Sequence, residues 1–398
     1  MDEHLVLESL GSHFGIDGKL AGFRQTNGGH VHDTYIATYE FSGCRRRYVH
    51  QRISPVFADV TGLMSNVVMI SSHLEKKLAE PRRSTPSQGR RALRVIKTRW
   101  GRHHWEDPDQ RAWRTFEFIP GAHSCTDVDT PSQAYEIGAA FGNYLALLDD
   151  LGTTVSSNTH AADLTARTGA ASSACATTTA LFETIPRFHD LDRYLANLEN
   201  SVTEDACARV TSAGVATTLE EVLRMRWIAR EVRKKISLGD LASRPVHNDC
   251  KSANVLCDDI TGEWVCVIDL DTTMNGYALH DFGDIARTAA TPAREDERDP
   301  ELSRLDLTLF NAAARGYLEA CAHLLSEPEL DSLPLGAIAM AYEAAVRFLT
   351  DFLNGDTYFK VDYPDHNLVR CRAQLALANS MIKDADRMSA IVANLQAC

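Results

Sequence analysis

The sequence predicts an α+β protein with two lobes: a small antiparallel β lobe over residues 1–118 and a larger, mainly helical lobe over residues 119–398. Short apolar runs separated by turn residues dominate the first part, which is the pattern of antiparallel strands. Longer segments with apolar residues at helical spacing dominate the second part. Pro120-Gly121 marks the boundary, because proline and glycine commonly interrupt regular structure.

The N-terminal lobe contains a glycine loop between two predicted strands. A helix and three strands are predicted in order at residues 4–15, 23–25, 34–39 and 47–53. Asn27, Gly28 and Gly29 lie between the first two strands. Such a loop can bind nucleotide phosphates through backbone N–H groups, although an ordinary hairpin turn has the same composition. Arg52, near the end of the third strand, offers a permanent cation for phosphate; the alternative is an exposed arginine on an edge strand.

A helix over residues 59–78 and strands at 93–96 and 113–119 are predicted to complete this lobe. The helix has no glutamate at a position suited to pair with Arg52, because Glu75 lies near its end. If a nucleotide lies between the lobes, backbone groups near Glu117 and Phe118 are expected to face its base.

The C-terminal lobe is predicted to be helical on both sides of a central loop. The helices are expected near residues 131–150, 219–235, 304–325, 333–354 and 367–395. Residues 153–179 are rich in Ala, Thr and Ser, which is typical of an irregular or mobile insertion.

The central loop carries the strongest chemical signal. It contains His247, one intervening residue, Asp249, four further residues and then Asn254, the spacing of a protein-kinase catalytic loop. Phosphoryl transfer needs a carboxylate that accepts a hydroxyl proton and an amide oxygen that holds Mg²⁺. The spacing therefore predicts Asp249 as the base and Asn254 as a metal ligand. Lys251 is placed where it can neutralise charge on the transferred group.

A β-hairpin is predicted directly after this loop, from the apolar runs 255–257 and 264–268. The hairpin returns the chain to the loop and ends at Asp269, which is therefore the second predicted magnesium ligand. Asp281-Phe282-Gly283 spells the kinase metal motif but lies beyond the hairpin. Asp281 is instead interpreted as a structural carboxylate that braces the loop. A buried hairpin with ordinary turn carboxylates is the alternative.

The composition and net charge of the chain limit the classes of partner that the protein is expected to bind. The 44% hydrophobic and 24% charged content is ordinary for a soluble globular protein. A net charge of −13 disfavours a nucleic-acid or anionic-membrane partner. No apolar run is long enough to suggest a bilayer span. The ten cysteines form no CxxC pair and are interpreted as reduced thiols of a cytoplasmic protein.

The chain resembles the aminoglycoside phosphotransferase and choline kinase superfamily in its catalytic loop and in Asp269. Within it, longer strings resemble the N-acetylhexosamine 1-kinase family. These strings cover residues 27–35, 51–53, 185–189, 268–272, 347–351 and 355–358.

The resemblance implies a two-lobed, protein-kinase-like fold with ATP and Mg²⁺ between the lobes. It implies that Asp249 is the base and that Asn254 and Asp269 bind the metal. Relatives of this kind phosphorylate the anomeric hydroxyl of N-acetylglucosamine or N-acetylgalactosamine.

The resemblance also implies an acceptor pocket in the C-terminal helices. Arg347, Tyr358 and Asp271 match positions that face the sugar. Arg347 lies on an otherwise apolar helix, where a charge needs a partner unless it sits at the exposed edge. Ser65 stands where relatives often carry Glu, so the ion pair that usually positions the nucleotide is not expected.

Two other functions fit the sequence. One is a kinase of another alcohol, such as an aminoglycoside, a choline-like alcohol or another natural product. The other is a catalytically silent nucleotide-binding module, which would require loss of the base or of a metal ligand, although all three are present. The partners expected are ATP and a small-molecule acceptor, in a monomer or a dimer.

Overall fold

The computed structural model describes residues 3–26, 31–80, 89–151 and 181–396 and confirms the α+β fold, with a sheet-rich N-terminal part and a mainly helical remainder. The predicted insertion at 153–179 lies outside the described residues.

The N-terminal part is an antiparallel sheet that packs against helices. Its helices are α1 (Glu3–His13) and α2 (Val60–Ala79). Its strands are β1 (Lys19–Gln25), β2 (Asp33–Phe41), β3 (Cys44–Arg52), β4 (Val95–Ile96), β5 (Trp105–Glu106) and β6 (Ala112–Glu117). They pair in the order β1-β2-β3-β6-β4, and β5 also pairs with β6. Alternate residues of β2, among them Tyr35 and Ala37, are buried in a cluster with Leu7 and Leu10 of α1, as a strand with one buried face requires.

The remaining elements surround the catalytic loop. The helices are α3 (Pro131–Leu148), α4 (Leu191–Glu204), α5 (Val215–Arg224), α6 (Trp227–Leu238), α7 (Ala278–Ala289), α8 (Leu307–Cys321), α9 (Glu327–Leu353), α10 (His366–Lys383) and α11 (Ala385–Gln396). The short strands are β7 (Ala122–Ser124), β8 (Arg244–Val246), β9 (Val255–Asp258), β10 (Trp264–Val267) and β11 (Met274–Gly276). The predicted hairpin is β9–β10, and β7 extends it. The lobe division at residue 118 stays a prediction, although the first sheet ends at Glu117.

Two predicted helices are each two helices in the structure. The one expected at 219–235 is interrupted at Met225, which is buried and whose N–H bonds to Val222 O in a tighter turn. The one expected at 367–395 is interrupted at Asp384, between α10 and α11. Neither break contains proline or glycine, so neither has a sequence signal.

Helix α9 corrects the expectation that no apolar run is long enough to suggest a bilayer span. Its 27 residues include a window that is apolar enough, by length and composition, to cross a membrane. However, 78% of that window is buried inside the protein, which is typical of a core helix.

The oxidation state of the cysteines was only partly predicted. Cys125, which follows β7, is disulfide-bonded to Cys257 of β9, because the pairing of these strands brings the two residues together. The expectation of ten reduced thiols is wrong for this pair. The other described cysteines are free: Cys44, Cys207, Cys250, Cys266, Cys321 and Cys371.

Candidate active site

The catalytic loop connects β8 to β9 and is fixed by its own histidine. The ring of His247 packs edge-on between Phe141 and Tyr144 of α3, with ring centroids 5.3 Å apart in both pairs. Its Nδ1 accepts the N–H of Asp249 at 3.3 Å, so Nε2 carries the proton and donates to Ile268 O at 3.0 Å. His247 therefore ties the loop to the end of the β9–β10 hairpin.

Asp281 braces the loop from behind, as predicted. Its Oδ2 accepts the N–H of His247 at 2.9 Å and its Oδ1 accepts the N–H of Asn248 at 2.7 Å. Asn248 has a φ of 62°, a left-handed conformation that needs such support. Asp281 lies on α7, which approaches α9 closely because a Cβ at Gly283 would lie 2.3 Å from Gly336 O. These hydrogen bonds confirm that Asp281 braces the loop, whereas its exclusion from the metal site stays a prediction.

Asp249, the predicted base, is held by two neighbours in the loop. Its Oδ2 accepts hydrogen bonds from Lys251 Nζ at 2.8 Å and from Asn254 Nδ2 at 2.9 Å. Burial raises the pKa of this carboxyl, but the charge and hydrogen bond of Lys251 outweigh burial and hold the pKa well below its usual range. Oδ1 has no hydrogen-bond partner among the described residues and is available to a substrate hydroxyl.

Asp269, the predicted metal ligand, follows β10 and has a φ of 61°. Its partly exposed carboxylate makes no hydrogen bond or ion pair with the described residues. Asn254 donates from Nδ2 only, which leaves its Oδ1 as an acceptor. The N–H of Ile268 donates to Asn254 O at 2.9 Å, which links the two segments. Two oxygen donors on adjoining segments suit Mg²⁺, which prefers oxygen ligands.

Asp271 occupies a different environment from the one predicted. Arg114 of β6 holds both of its carboxylate oxygens, with Nη1–Oδ1 and Nη2–Oδ2 distances of 2.5 and 2.9 Å, and His32 Nε2 lies 2.6 Å from Oδ2. The Asp271 and Arg114 side chains are only 2% and 1% exposed. Burial raises the pKa of Asp271, but Arg114 and His32 outweigh burial and hold it well below its usual range.

This burial argues against the predicted contact of Asp271 with the acceptor. His32, Asp269 and Asp271 offer ligand atoms within 4.8 Å of one another. However, His32 already contacts Asp271, and Asp271 also accepts hydrogen bonds from Arg114. Since Arg114 brings a positive charge into this cluster, Asp269 is the member best suited to a cation.

Arg52 is engaged by Asp33, at the end of the glycine loop. Its Nε donates to Asp33 Oδ2 at 2.9 Å, and Lys360 Nζ lies 3.0 Å from the other oxygen of the same carboxylate. Arg52 and Asp33 are 28% and 23% exposed, so this pair is open to solvent. Ser65 is exposed and bonds to Thr61 O. The loop residues Asn27, Gly28 and Gly29 lie outside the described part of the chain.

Glu117 ends β6 and Phe118 directly follows it, beside a cavity of about 360 Å³. The N–H of Glu117 donates to Arg94 O at 2.9 Å, and that of Phe118 to Arg47 O at 3.4 Å. The side chain of Glu117 faces Arg94 at 3.4 Å. Their amides are therefore used within the sheet, and adenine binding by these two residues stays a prediction.

Arg347 and Tyr358, the predicted acceptor residues, lie together. The guanidinium carbon of Arg347 lies 5.2–5.7 Å from the ring centroids of Phe188, Tyr194, Tyr358 and Phe359. Its Nη2 is 3.5 Å from the Tyr358 hydroxyl. The carboxylate of Asp351 accepts the N–H groups of residues 357–359 and so fixes Tyr358 beside α9.

A buried histidine connects Arg347 to the catalytic loop. Glu343 Oε1 lies 3.5 Å from Arg347 Nη1 and 2.9 Å from His189 Nδ1, and His189 Nε2 lies 2.8 Å from Asn248 O. Both ring nitrogens face acceptors, so both carry protons and His189 is an imidazolium. Burial lowers the pKa of His189, but the charge and hydrogen bond of Glu343 outweigh burial and raise it. This role of His189 was not predicted from the sequence, because 154 positions separate His189 from Glu343.

A sequence model of the phosphotransferase enzyme family matches residues 32–320. Among solved structures, a microcompartment-associated aminopropanol kinase is 17% identical, with a TM-score of 0.53 over 96% of this chain and 98% of that one. Spectinomycin phosphotransferase, in complex with ADP and spectinomycin, is 11% identical, with a TM-score of 0.56 over 97% and 99%. An ethanolamine kinase of Plasmodium vivax is 12% identical, with a TM-score of 0.51 over 89% and 82%. At these identities the likenesses show the fold.

Proposed function

Because the chain belongs to the phosphotransferase enzyme family, we propose that it transfers the terminal phosphoryl group of ATP to the anomeric hydroxyl of N-acetylglucosamine or N-acetylgalactosamine. The observation that carries the transfer chemistry is the group formed by Asp249, Lys251 and Asn254 beside Asp269. The aromatic rings around Arg347 support the choice of acceptor.

Asp249 acts as the base in this proposal. Its low pKa keeps the carboxylate ionised at neutral pH, and Oδ1 accepts the proton of the acceptor hydroxyl. Lys251 and Asn254 hold Oδ2, which fixes the direction in which Oδ1 points. Lys251 also brings a positive charge close to the transferred group, where negative charge is spread over the phosphoryl oxygens.

Asn254 Oδ1 and the Asp269 carboxylate are the groups that would hold Mg²⁺. Held there, the ion would supply positive charge that offsets the negative charge of the ATP phosphates. The absence of described partners for the Asp269 carboxylate supports this assignment. Arg52 remains the proposed phosphate contact at the glycine loop, with Asp33 as the group that orients it.

The acceptor assignment rests on the surroundings of Arg347. A guanidinium presents several N–H groups in one plane and suits hydroxyl and amide oxygens. Tyr358 and Phe188 offer aromatic faces on which a sugar ring can stack. Because Glu343 and His189 connect Arg347 to Asn248, next to the base, the pocket is coupled to the loop that performs the transfer.

The competing acceptor is a cationic amino alcohol. The names of the aminopropanol and ethanolamine kinases, together with the net charge of −13, favour this class. A cage of aromatic rings binds ammonium groups well. In this chain, however, Arg347 already places a cation among the rings, and a second cation would meet charge repulsion. The pocket therefore favours a neutral acceptor.

The test is ATP consumption against a panel of N-acetylhexosamines, other sugars, aminoglycosides, ethanolamine and choline. Turnover is expected with an N-acetylhexosamine, and the product should carry phosphate at the anomeric oxygen by NMR. Arg347→Ala should raise KM for the sugar and leave KM for ATP nearly unchanged. Consumption of an amine acceptor under conditions where every N-acetylhexosamine is inert would contradict the sugar assignment and leave the kinase chemistry.

A further inference from the structure

A lysine near the proposed acceptor pocket reaches the N-terminal sheet. Lys360 lies two positions after Tyr358, in the segment that joins α9 to α10. We call residues 354–365 the acceptor segment. The Nζ of Lys360 donates to His32 O at 3.1 Å and to Asp33 Oδ1 at 3.0 Å. Because Asp33 is the first residue of β2, this side chain joins the acceptor segment to the N-terminal sheet.

The carboxylate of Asp33 is shared between two cations. Arg52 Nε donates to its Oδ2 at 2.9 Å, and Lys360 contacts its Oδ1. Arg52 lies directly opposite Asp33 in the pairing of β2 with β3, whereas Lys360 is 327 positions away in the chain. Burial raises the pKa of Asp33, but the hydrogen bonds and charges of Arg52 and Lys360 outweigh burial and lower it. Asp33 is therefore ionised at neutral pH and divides one negative charge between the two parts of the chain.

The backbone of the acceptor segment is held on both sides of Lys360. The carboxylate of Asp351 accepts the N–H of Tyr358 at 2.8 Å and that of Phe359 at 2.9 Å. Arg370 Nη1 donates to Lys360 O at 3.0 Å. Asp351 and Arg370 are both 5% exposed. A change in the position of Lys360 therefore acts on the backbone that carries Tyr358.

The other end of the contact is fixed by a buried ring. His32 Nδ1 accepts the N–H of Ser54 at 3.0 Å, and its Nε2 lies 2.6 Å from Asp271 Oδ2. Both ring nitrogens are thus engaged within the protein. The carbonyl of His32, which accepts from Lys360, therefore lies on a part of the backbone that has little freedom to move.

The contact of Lys360 with Asp33 is too exposed to act mainly as a stabilising ion pair. The two side chains are 51% and 23% exposed. Ion pairs at such exposure contribute little to folding stability. An interaction of that strength is nevertheless enough to change the affinity for a ligand by about threefold.

We propose that Lys360 is a positioning residue that couples nucleotide binding to acceptor binding, an inference that rests on the proposed function. When an ATP phosphate engages Arg52, Asp33 loses part of the positive charge that faces it, and its attraction for Lys360 increases. The acceptor segment is then held more firmly against the N-terminal sheet, with Tyr358 in place for the acceptor. Because coupling between two binding sites is reciprocal, the acceptor tightens ATP binding by the same factor.

The first measurement is hydrogen exchange of the acceptor segment in the full-length chain, with and without Mg²⁺ and a non-hydrolysable ATP analogue. The analogue should slow exchange of residues 354–365 by about threefold in the wild type and in Lys360→Arg, which keeps the charge. In Lys360→Met the analogue should still bind but leave this exchange unchanged. The matched control is Lys234→Met, at an exposed lysine of α6, which should behave as the wild type.

The second measurement is the Kd of the analogue with and without saturating N-acetylglucosamine, by calorimetry. The sugar should lower this Kd about threefold in the wild type and leave it unchanged in Lys360→Met. Asp33→Asn should also remove the effect of the sugar. The double variant should lose no more coupling than either single one, because both substitutions remove the same contact.

The proposal is overturned if the analogue slows exchange equally in the wild type and in Lys360→Met. It is also overturned if Lys360→Met speeds exchange by the same factor with and without the analogue, which is the result expected of a purely structural contact. Because the exchange measurement needs no sugar, a wrong acceptor does not affect it. The proposed function fails separately, if no acceptor of the panel is phosphorylated while the bound analogue still slows exchange of the acceptor segment.

Discussion

Replacing His189 by glutamine or by asparagine separates the two contacts that its ring makes. The side-chain nitrogen of glutamine reaches the position of Nε2 and can still donate to Asn248 O, but the contact with Glu343 is lost. Asparagine places its nitrogen near Nδ1 and does the reverse. We expect His189→Gln to act mainly on the acceptor pocket, through Glu343 and Arg347, and His189→Asn to act mainly on the catalytic loop.

The expected losses of stability follow from the burial of the groups that His189 contacts. Glu343 is 1% exposed, and removing one partner of a buried ion pair costs about 3–5 kcal/mol. Since Arg347 still faces Glu343 at 3.5 Å, His189→Gln should lose stability near the lower end, about 3 kcal/mol. Leaving the carbonyl of Asn248 unpaired in His189→Asn should cost about 1–3 kcal/mol.

The charge on His189 also gives a pH dependence. Because its folded-state pKa is raised, its stabilising contribution is fully present below the unfolded value of about 6.5 and is lost as pH rises through the higher folded-state pKa. The His280 ring, with its centroid 4.7 Å from that of His189, remains neutral, because burial lowers its pKa to about 3.

The assays are urea unfolding and steady-state kinetics of the wild type and both variants from pH 6 to 9. His189→Gln should raise KM for the acceptor, whereas His189→Asn should lower kcat. Both variants should lose the alkaline decline in stability. Equal destabilisation of the two variants, with kcat and KM unchanged in both, would refute the coupling and leave His189 as a core residue.

Three further predictions concern other parts of the structure. Arg114→Met should cost about 3 kcal/mol in urea unfolding, the lower end for a broken buried ion pair because His32 still faces Asp271 at 2.6 Å, and Arg114→Met/Asp271→Leu should recover most of the loss; a double variant as unstable as the single one would argue against the ion pair. Asp269→Ala should abolish Mg²⁺-dependent ATP binding in a folded protein, while Asp281→Ala should act mainly on stability; the reverse result would mean that the metal ligand is Asp281. Burial lowers the pKa of His50 to about 3, so the free energy of unfolding should fall as pH drops from about 6.5 towards 3. In urea unfolding at each pH, His50→Gln should reduce the slope of this decline by up to about 1.4 kcal/mol per pH unit. An unchanged slope would contradict the assignment of the decline to His50.

The catalytic loop and its hairpin were predictable because they are local. Asp249, Asn254 and Asp269 lie within a single loop and the adjoining hairpin, so spacing alone brings them together. The bracing role of Asp281 followed from its distance beyond that hairpin. The breaks at Met225 and at Asp384 were not predictable, because tertiary packing ends those helices without a change in helical propensity.

The electrostatic contacts between distant segments were not predictable. Arg114 and Asp271 are separated by 157 positions, and their pairing depends on the register of β6 against β3 and on the turn after β10. The burial of Asp271 was not predicted either: its string matched relatives, but sequence alone does not reveal which carboxylate faces inwards, and its contact with the acceptor stays a prediction. The contact between His189 and Glu343 was not predicted for the same reason.

The most direct test of the proposed function compares wild type with Asp249→Asn for formation of sugar 1-phosphate from ATP and N-acetylglucosamine, followed by ³¹P NMR. Asparagine keeps the shape of the side chain but does not take the hydroxyl proton. We predict that the wild type makes the product and that the variant, with unchanged unfolding and ATP binding, is slower by about 10²–10⁴-fold. A variant with the kcat of the wild type would contradict the assignment of Asp249 as the base and, with it, the proposed mechanism.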